Sequence, residues 1–428
     1  MKNHRSKVDM FVIGFALFSM FFGAGNVIFP PFLGAGSGSQ WGLGFACYYA
    51  ADIGLALVAM FSIFHRGSSE KILEPMGRIP ATFLMCVIML CIGPMLAIPR
   101  TAATTFEMAV TPLFGDVNSW LFAVIFFAVV LICAVREKSV VDIVGKVLTP
   151  LLLIGLLILI VKGVVDPLGH TDAAPQIENV AAEGIKAGYQ TMDVLATMLF
   201  GVIILKSAES KGYTGHEEKR SIAVHSSLVA GIILLVVYGG LTYLGATVSS
   251  AYDMSMGRIP LVLALVNGLL GHTGTVIFAI VVALACLTTA VGLVSACAEY
   301  FSELSNGHLS YKLLVAVVCV FSAVVSNVGL DQLIGIAAPV LDIVYPPTLV
   351  LVLMSFIPNI SKLSIRFATA AALIISTLGA IAVYGHVSAL GNVLAYLPMS
   401  SLGFGWVIPA VVFALIGFAI KHNDAPKA

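Results

Sequence analysis

Apolar positions run through this chain in long stretches, separated by short polar segments. Val147–Val161 (VLTPLLLIGLLILIV) and Val276–Leu287 (VIFAIVVALACL) continue into apolar flanks. As helix, such runs are long enough to cross about 30 Å of hydrocarbon. A membrane barrel would instead show alternating segments of about ten residues. The pattern therefore predicts an all-α polytopic membrane protein. Twelve spans are expected, at roughly 8–33, 41–64, 80–108, 118–135, 142–163, 188–205, 226–247, 274–299, 311–328, 332–356, 367–385 and 403–420. With 428 residues, that is about 36 per span and loop, which leaves little room for a further domain.

Composition agrees. Only 10% of residues are charged and 59% are hydrophobic, whereas a soluble domain carries about 25% charged residues. Lys and Arg set the orientation. With the N-terminus inside, 18 of the 22 fall at cytoplasmic ends and loops, leaving Arg100, Lys162, Lys186 and Arg258 in or near outer segments. Both termini are expected to be cytoplasmic. Trp41, Trp120 and Trp406 each open an inward-going span, at the interface indoles prefer. All seven cysteines sit in apolar runs and read as packing residues, not a disulfide framework. The apolar run from Val8 is read as a retained first span and not as a cleaved leader. The net charge of zero points to no particular partner, and no nucleic-acid partner is expected.

Short matches recur at similar offsets. MGRIP stands at Met76–Pro80 and again at Met256–Pro260. Phe22-Gly23 matches Phe200-Gly201, and Asp142-Ile143-Val144 matches Asp342-Ile343-Val344. Together they pair spans 1, 3 and 5 with 6, 8 and 10. A five-span repeat must return with opposite orientation, as in the inverted-repeat secondary transporters. The expected organisation is a single transmembrane domain with halves at about 8–163 and 186–357, followed by two further helices and a tail over 358–428.

Such folds interrupt one helix in each half near the midplane. In span 1, FFGAGNVIFPPFLGAG (Phe21–Gly36) holds four glycines, an asparagine and two adjacent prolines. Its proposed break is Gly23, Ala24, Gly25 and Asn26. The matching segment of span 6 is Ala196–Gly201, including Thr197, Phe200 and Gly201, with Asp193 just before it. Unwound backbone frees amides that attract a carboxylate and carbonyls that hold Na⁺ or an ammonium group. The alternative for span 1, a close helix–helix contact through small residues, fits poorly, because Gly23 and Gly25 lack the four-residue spacing. In span 8, Thr288 and Thr289 either complete an oxygen cage with span 1 or bond back to their own helix.

Ionisable residues inside spans are functional candidates. Asp342 lies between Pro339 and Pro346-Pro347; it is a candidate to gate, carry a proton or pair with Arg100. Arg100 is placed near the outer end of span 3, where snorkelling explains it equally well. Asp52, Glu107, Asp193 and Glu299 are weaker candidates. Asp142 and Lys146 are spaced to pair within one helix turn. No GxxxxGK[ST] phosphate loop is present, so no direct ATP drive or ATPase partner is implied. No Cys–His set has zinc spacing, no channel-type filter sequence occurs, and no catalytic constellation suggests an enzyme.

With these residues in view, the sequence resembles the branched-chain amino acid:cation symporters. The resemblance runs along nearly the whole chain. It is strongest at Phe21–Gly36, at Gly93–Glu107 (GPMLAIPRTAATTFE) and at Ala338–Pro347 (APVLDIVYPP). That family is similar to the amino acid–polyamine–cation superfamily with its LeuT-like five-plus-five repeat. The resemblance implies uptake of leucine, isoleucine or valine across a bacterial cytoplasmic membrane, with Na⁺ or, in some members, H⁺. By similarity to the neurotransmitter:sodium symporters, Asn26 would bind Na⁺ beside the substrate. Ser19, Phe22, Thr288 and Thr289 would match a second Na⁺ site. The arginine those symporters carry before the phenylalanine is Ile28 here, so Asp342 inherits no gating partner. The rival expectations are a proton-coupled transporter or exporter, a passive channel, and a non-transporting subunit of a membrane complex.

Overall fold

The computed structural model describes the backbone of residues 2–135 and 140–423, and the side chains of residues 7–135, 150 and 152–420. The Asp142–Lys146 pair and the Asp142-Ile143-Val144 match lie outside the described side chains. The described residues are helical almost throughout and contain no strand. In chain order the helices are α1 (Lys2–Phe21), α2 (Ala24–Ser37), α3 (Trp41–Tyr49), α4 (Leu55–Arg66), α5 (Ser69–Leu73), α6 (Arg78–Leu90), α7 (Ala97–Thr105), α8 (Thr111–Phe114), α9 (Ser119–Val135) and α10 (Val140–Val165). They continue as α11 (Val180–Thr191), α12 (Asp193–Ser210), α13 (His216–Thr247), α14 (Arg258–Leu304), α15 (Tyr311–Val325), α16 (Leu330–Met354), α17 (Lys362–Tyr384), α18 (Ser388–Leu394) and α19 (Val407–Asn423). Wider π turns interrupt three places: Ala50–Gly54, Cys91–Met95 and Phe106–Val110.

Among the described residues, seven helical stretches are long and apolar enough to cross a membrane, and the bent pair α11–α12 counts as an eighth. The apolar helices of α9, Leu152–Val165 and Val407–Ile420 are shorter. The surface explains the hydropathy. On α15, Val317, Val320, Phe321 and Val324 are exposed, at the spacing of one helix face. The opposite face, with Val315, Val318, Cys319 and Ser322, is buried. A helix apolar on both faces needs a lipid-facing side. Of the three tryptophans, Trp120 is exposed, but Trp406 is buried against Phe404 and does not sit at an open interface. All seven cysteines are free.

The two MGRIP copies build the same local structure. Each ends a single 3₁₀ turn (Glu74–Met76, Met254–Met256) and starts a helix at its arginine. Between them stands a glycine: Gly77 at φ 92°, ψ 161°, and Gly257 at φ 83°, ψ 169°. That backbone region strongly favours glycine.

The long-range packing has a crossed pattern. Helices α1 and α2, on either side of the break at Phe22-Gly23, both lie along the continuous helix α13. Helices α11 and α12, on either side of a 42° bend, lie along α3 and α4. Close approach along α2 and α13 needs glycines. A Cβ on Gly34 would stand 1.9 Å from the Thr242 carbonyl oxygen, and one on Gly245 would stand 1.9 Å from that of Pro31. Prolines inside the helices release carbonyls. Pro347 removes the donor to Ile343, whose carbonyl accepts from the Ser376 hydroxyl on α17 at 3.3 Å.

Candidate substrate and ion site

The first break is where the glycines place it. Helix α1 ends at Phe21, Gly23 is extended (φ −112°, ψ −170°), and α2 starts at Ala24. The amide of Asn26 bonds the Gly23 carbonyl at 3.1 Å, but those of Ala24 and Gly25 have no carbonyl in a preceding turn to bond, so the break presents donors. Pro30 and Pro31 lie inside α2. Lacking N–H groups, they leave the carbonyls of Asn26 and Val27 without their intrahelical donors.

The second break is not at Ala196–Gly201. It falls at Met192, which takes the left-handed conformation at φ 69°, ψ 12° between α11 and α12. Helix α12 then runs unbroken through Thr197, Phe200 and Gly201. Thr197 donates back to the Asp193 carbonyl at 2.8 Å. Gly201 is a packing glycine: a Cβ there would lie 2.8 Å from Ile63. The sequence carries no glycine or proline at 192, so nothing in it marked the true break.

One cavity lies between the two breaks. It is lined by Gly23, Ala24, Gly25 and Asn26 from span 1, by Thr191, Met192, Asp193, Ala196 and Phe200, by Thr289, and by Arg100. Phe21, Ile92, Ala97 and Leu293 add apolar wall. Gly23, Ala24, Gly25, Asn26, Phe200, Thr289 and Arg100 therefore converge as the sequence suggests, while Ser19, Phe22, Thr197, Gly201, Thr288 and Asp342 do not line this space.

Asn26 is the knot that ties the breaks together. Its Nδ2 faces the Phe21 carbonyl at 2.6 Å, Asp193 Oδ2 at 2.9 Å and the Tyr238 hydroxyl at 2.5 Å. The amide thus works as a donor that links α1, α12 and α13. One of its partners, Tyr238, was not singled out by pattern; nor was Tyr48 behind it, whose ring meets that of Tyr238 edge to face at 5.8 Å. Asp52 lies in the π turn between α3 and α4 and is fully buried. Its Oδ1 accepts from the Thr191 hydroxyl at 2.8 Å, and the same hydroxyl accepts from the Asp193 amide at 3.5 Å. Asp193 thus lines the cavity, and Asp52 stands behind it through Thr191.

Arg100 corrects a second expectation. It is neither at a span end nor snorkelling; its residue is 5% exposed and faces the cavity. Nη1 donates to the Gln190 carbonyl at 2.6 Å and Nη2 to the Thr191 carbonyl at 3.2 Å. The guanidinium caps the last turn of α11, where orphan carbonyls and the helix dipole favour a cation. Asp342 does not pair with it. The Asp342 carboxylate accepts from the Tyr384 hydroxyl of α17 at 2.8 Å. The ion pair found instead joins Arg258 and Asp331 at 2.7 Å, with Arg258 over the Phe32 ring at 4.8 Å. These residues line a second cavity of about 430 Å³. Phe29 also lines that space, and its ring packs against Gly25 and Arg100, which line the first cavity.

Of the hydroxyls expected to hold Na⁺, Thr288 bonds back to the Ala285 carbonyl at 2.8 Å. Thr289 behaves differently. Its Oγ1 is buried without a hydrogen-bond partner, and it stands 3.8 Å from where a Gly23 Cβ would be. A buried hydroxyl left unpaired beside freed backbone is an unsatisfied oxygen, which native structures seldom keep without a reason.

The family model described as "Branched-chain amino acid transport protein" matches residues 6–424. The chain belongs to this branched-chain amino acid transport family. Curated members similar to it include the branched-chain amino acid permease BraB of Bacillus subtilis, 34% identical with all of this chain and 98% of the relative covered. The permease BrnQ of Escherichia coli K12 is 35% identical, with 95% and 94% covered. The branched-chain amino acid transport system 3 carrier of Pseudomonas aeruginosa is 36% identical, with 94% of each covered. Family members of this kind are multi-pass permeases and carriers, and this chain is not an enzyme. Among solved structures it resembles Mhp1, a nucleobase-cation-symport-1 family transporter, in a closed conformation with bromovinylhydantoin bound (TM-score 0.63, 14% identity, 96% and 93% covered). It also resembles the inward-facing conformation of Mhp1 (TM-score 0.60, 14% identity, 96% and 91% covered). At that identity the likeness concerns the fold alone, a LeuT-like one, as the family resemblance implied.

Proposed function

We propose that the chain is a secondary active symporter that imports leucine, isoleucine and valine with Na⁺ by alternating access. It does so in a bacterial cytoplasmic membrane, with twelve spans and both termini inside. The inverted repeat over 8–163 and 186–357, followed by the two helices of 358–428, is part of this reading. The crossed packing of α1–α2 on α13 and α11–α12 on α3–α4 supports it, as does the shared MGRIP structure. The observation that carries the reading is the polar cavity between two broken helices in an otherwise apolar bundle. Freed groups inside lipid are tolerated only where they line such a cavity.

The cavity has a pole for each end of a zwitterion. The α2 amides at Gly23–Gly25 receive the carboxylate. The ammonium group does not go to Phe200, which lies inside the continuous helix α12; it goes to the Asp193 side, where Asp193 and the Phe21 carbonyl are acceptors. Phe21, Phe200, Ile92 and Leu293 bound the aliphatic side chain. Burial alone separates leucine from alanine: three carbons at about 0.8 kcal/mol each give roughly 2.4 kcal/mol, or about 60-fold. Na⁺ is held at Thr289 Oγ1 with oxygens of the span 1 break.

Proteoliposomes containing only this chain test the reading. Leucine is expected to accumulate against its gradient when Na⁺ is high outside, and not when K⁺ replaces it. Thr289→Val keeps the shape and removes the oxygen. It is expected to raise the Na⁺ concentration for half-maximal uptake about tenfold, the equivalent of about 1.4 kcal/mol; an unchanged Na⁺ titration removes Thr289 from the site.

A second reading rests on its own observation. Asp52 Oδ2 is buried without a hydrogen-bond partner, and Asp52 and Asp193 are both buried and bridged by Thr191. Two buried carboxylates this near repel unless a cation or a proton neutralises one of them. This favours H⁺ as the coupling ion. Accumulation driven equally well by an inward proton gradient without Na⁺ selects this reading over the first.

A further inference from the structure

Arg100 has more donors than its fold uses. Two of its nitrogens cap the carbonyls of Gln190 and Thr191, but Nε is buried without a partner. Among the described residues, no carboxylate lies within 4.0 Å of the guanidinium. Those bonds are to neutral carbonyls, so its charge lacks a contacting counterion. A buried cation without a contacting anion is costly, yet the fold brings Arg100 to the cavity wall. It sits there against the first turn of α2. A Cβ on Gly25 would lie 3.0 Å from Arg100 Nη2. The α2 amides and the guanidinium therefore converge on one place. Each is suited to a carboxylate, the amides through the helix dipole and the guanidinium through its planar fork.

We propose that Arg100 binds the carboxylate of the transported amino acid, together with the α2 amides, and thereby makes a free α-carboxylate a requirement for entry to the site. Asp193 lines the same cavity and is the acceptor for the ammonium in this reading, so the two residues together fix which way the zwitterion lies. Gly25 is part of the device, because any side chain there would displace the guanidinium or close the gap. This inference rests on the branched-chain amino acid reading of the cavity and adds how the site recognises its substrate.

The test measures binding to the purified full-length chain, with leucine and leucinamide, which lacks the carboxylate charge but keeps the ammonium and the side chain. For the unaltered protein, leucine is expected to bind at least about 100-fold more tightly than leucinamide, the scale set by losing one partner of a buried charge pair. In Arg100→Gln the two ligands are expected to bind within about threefold of each other, because leucine loses affinity and leucinamide does not. Arg100→Lys keeps the charge without the fork and is expected to restore part of the preference. A merely structural role in capping α11 predicts something else: both ligands weaken together in Arg100→Gln and their ratio stays the same. That result overturns the proposal. So does equal binding of the two ligands by the unaltered protein, a measurement that requires no variant to fold. Failure of the unaltered protein to bind any branched-chain amino acid would instead overturn the transport reading itself.

Discussion

Asn26→Ala is expected to lower the initial rate of leucine uptake by about 10- to 150-fold while the protein remains folded. The amide of Asn26 meets the Phe21 carbonyl, Asp193 and Tyr238, so its loss unties α1 from α12 and α13 at once. A hydrogen bond to a charged group contributes about 1.5–3 kcal/mol, and 1.4 kcal/mol is a factor of about ten. Asn26→Asp is expected to be worse. It removes the donor and sets a third carboxylate beside Asp193 and Asp52. The check is counterflow in proteoliposomes, with monodispersity on size exclusion as the folding control. Uptake within twofold of the unaltered protein in Asn26→Ala would show that the bonds at this break do not govern transport.

The second large effect concerns stability. Gly34→Ala and Gly245→Ala each place a methyl group 1.9 Å from a backbone oxygen of the facing helix. A flexible side chain moves aside at little cost, but backbone does not, so α2 and α13 must separate. Overpacking of a core typically costs about 1–3 kcal/mol, and a backbone clash lies at or above the upper end. Against a typical total stability of about 5–15 kcal/mol, either change is expected to lower the melting temperature by several degrees and the yield of monodisperse protein several-fold. Gly335→Ala and Gly379→Ala are the controls. Both glycines stand inside helices, and a methyl group there meets nothing within 4 Å. Since alanine is the better helix former by about 1 kcal/mol, these two are expected to hold or raise the melting temperature.

The legible parts of this molecule were those with a compositional mark. The break in span 1 announces itself because glycines and prolines are rare together in a helix, and helices part at Phe22-Gly23. MGRIP is legible as a repeat, and its glycine turns out to be a backbone requirement in both copies. The break in span 6 was not legible at its true place. Met192 is held left-handed by the bundle around it, at a cost of about 1–2 kcal/mol that glycine would avoid. Tertiary packing chose that bend, and local preference resisted it. Asp52 was hidden for a different reason. A single acid in an apolar span says nothing about depth or partners, and a π turn aims its side chain where helical counting does not. For Arg100, charge counting along the chain suggested a span end. The carbonyls that welcome it belong to α11, some ninety residues away.

The crossed packing has a consequence for how the chain is made. Helix α13 is the splint for the break between α1 and α2, and it belongs to the other half of the chain. The first broken helix therefore leaves the ribosome roughly two hundred residues before its support exists. The second is luckier: α3 and α4 are already in place when α11 and α12 arrive. During synthesis the two halves are unequal partners. The N-terminal half must wait until His216–Thr247 enters the membrane, and a fragment cut before that point lacks the element along which both halves of its first broken helix lie.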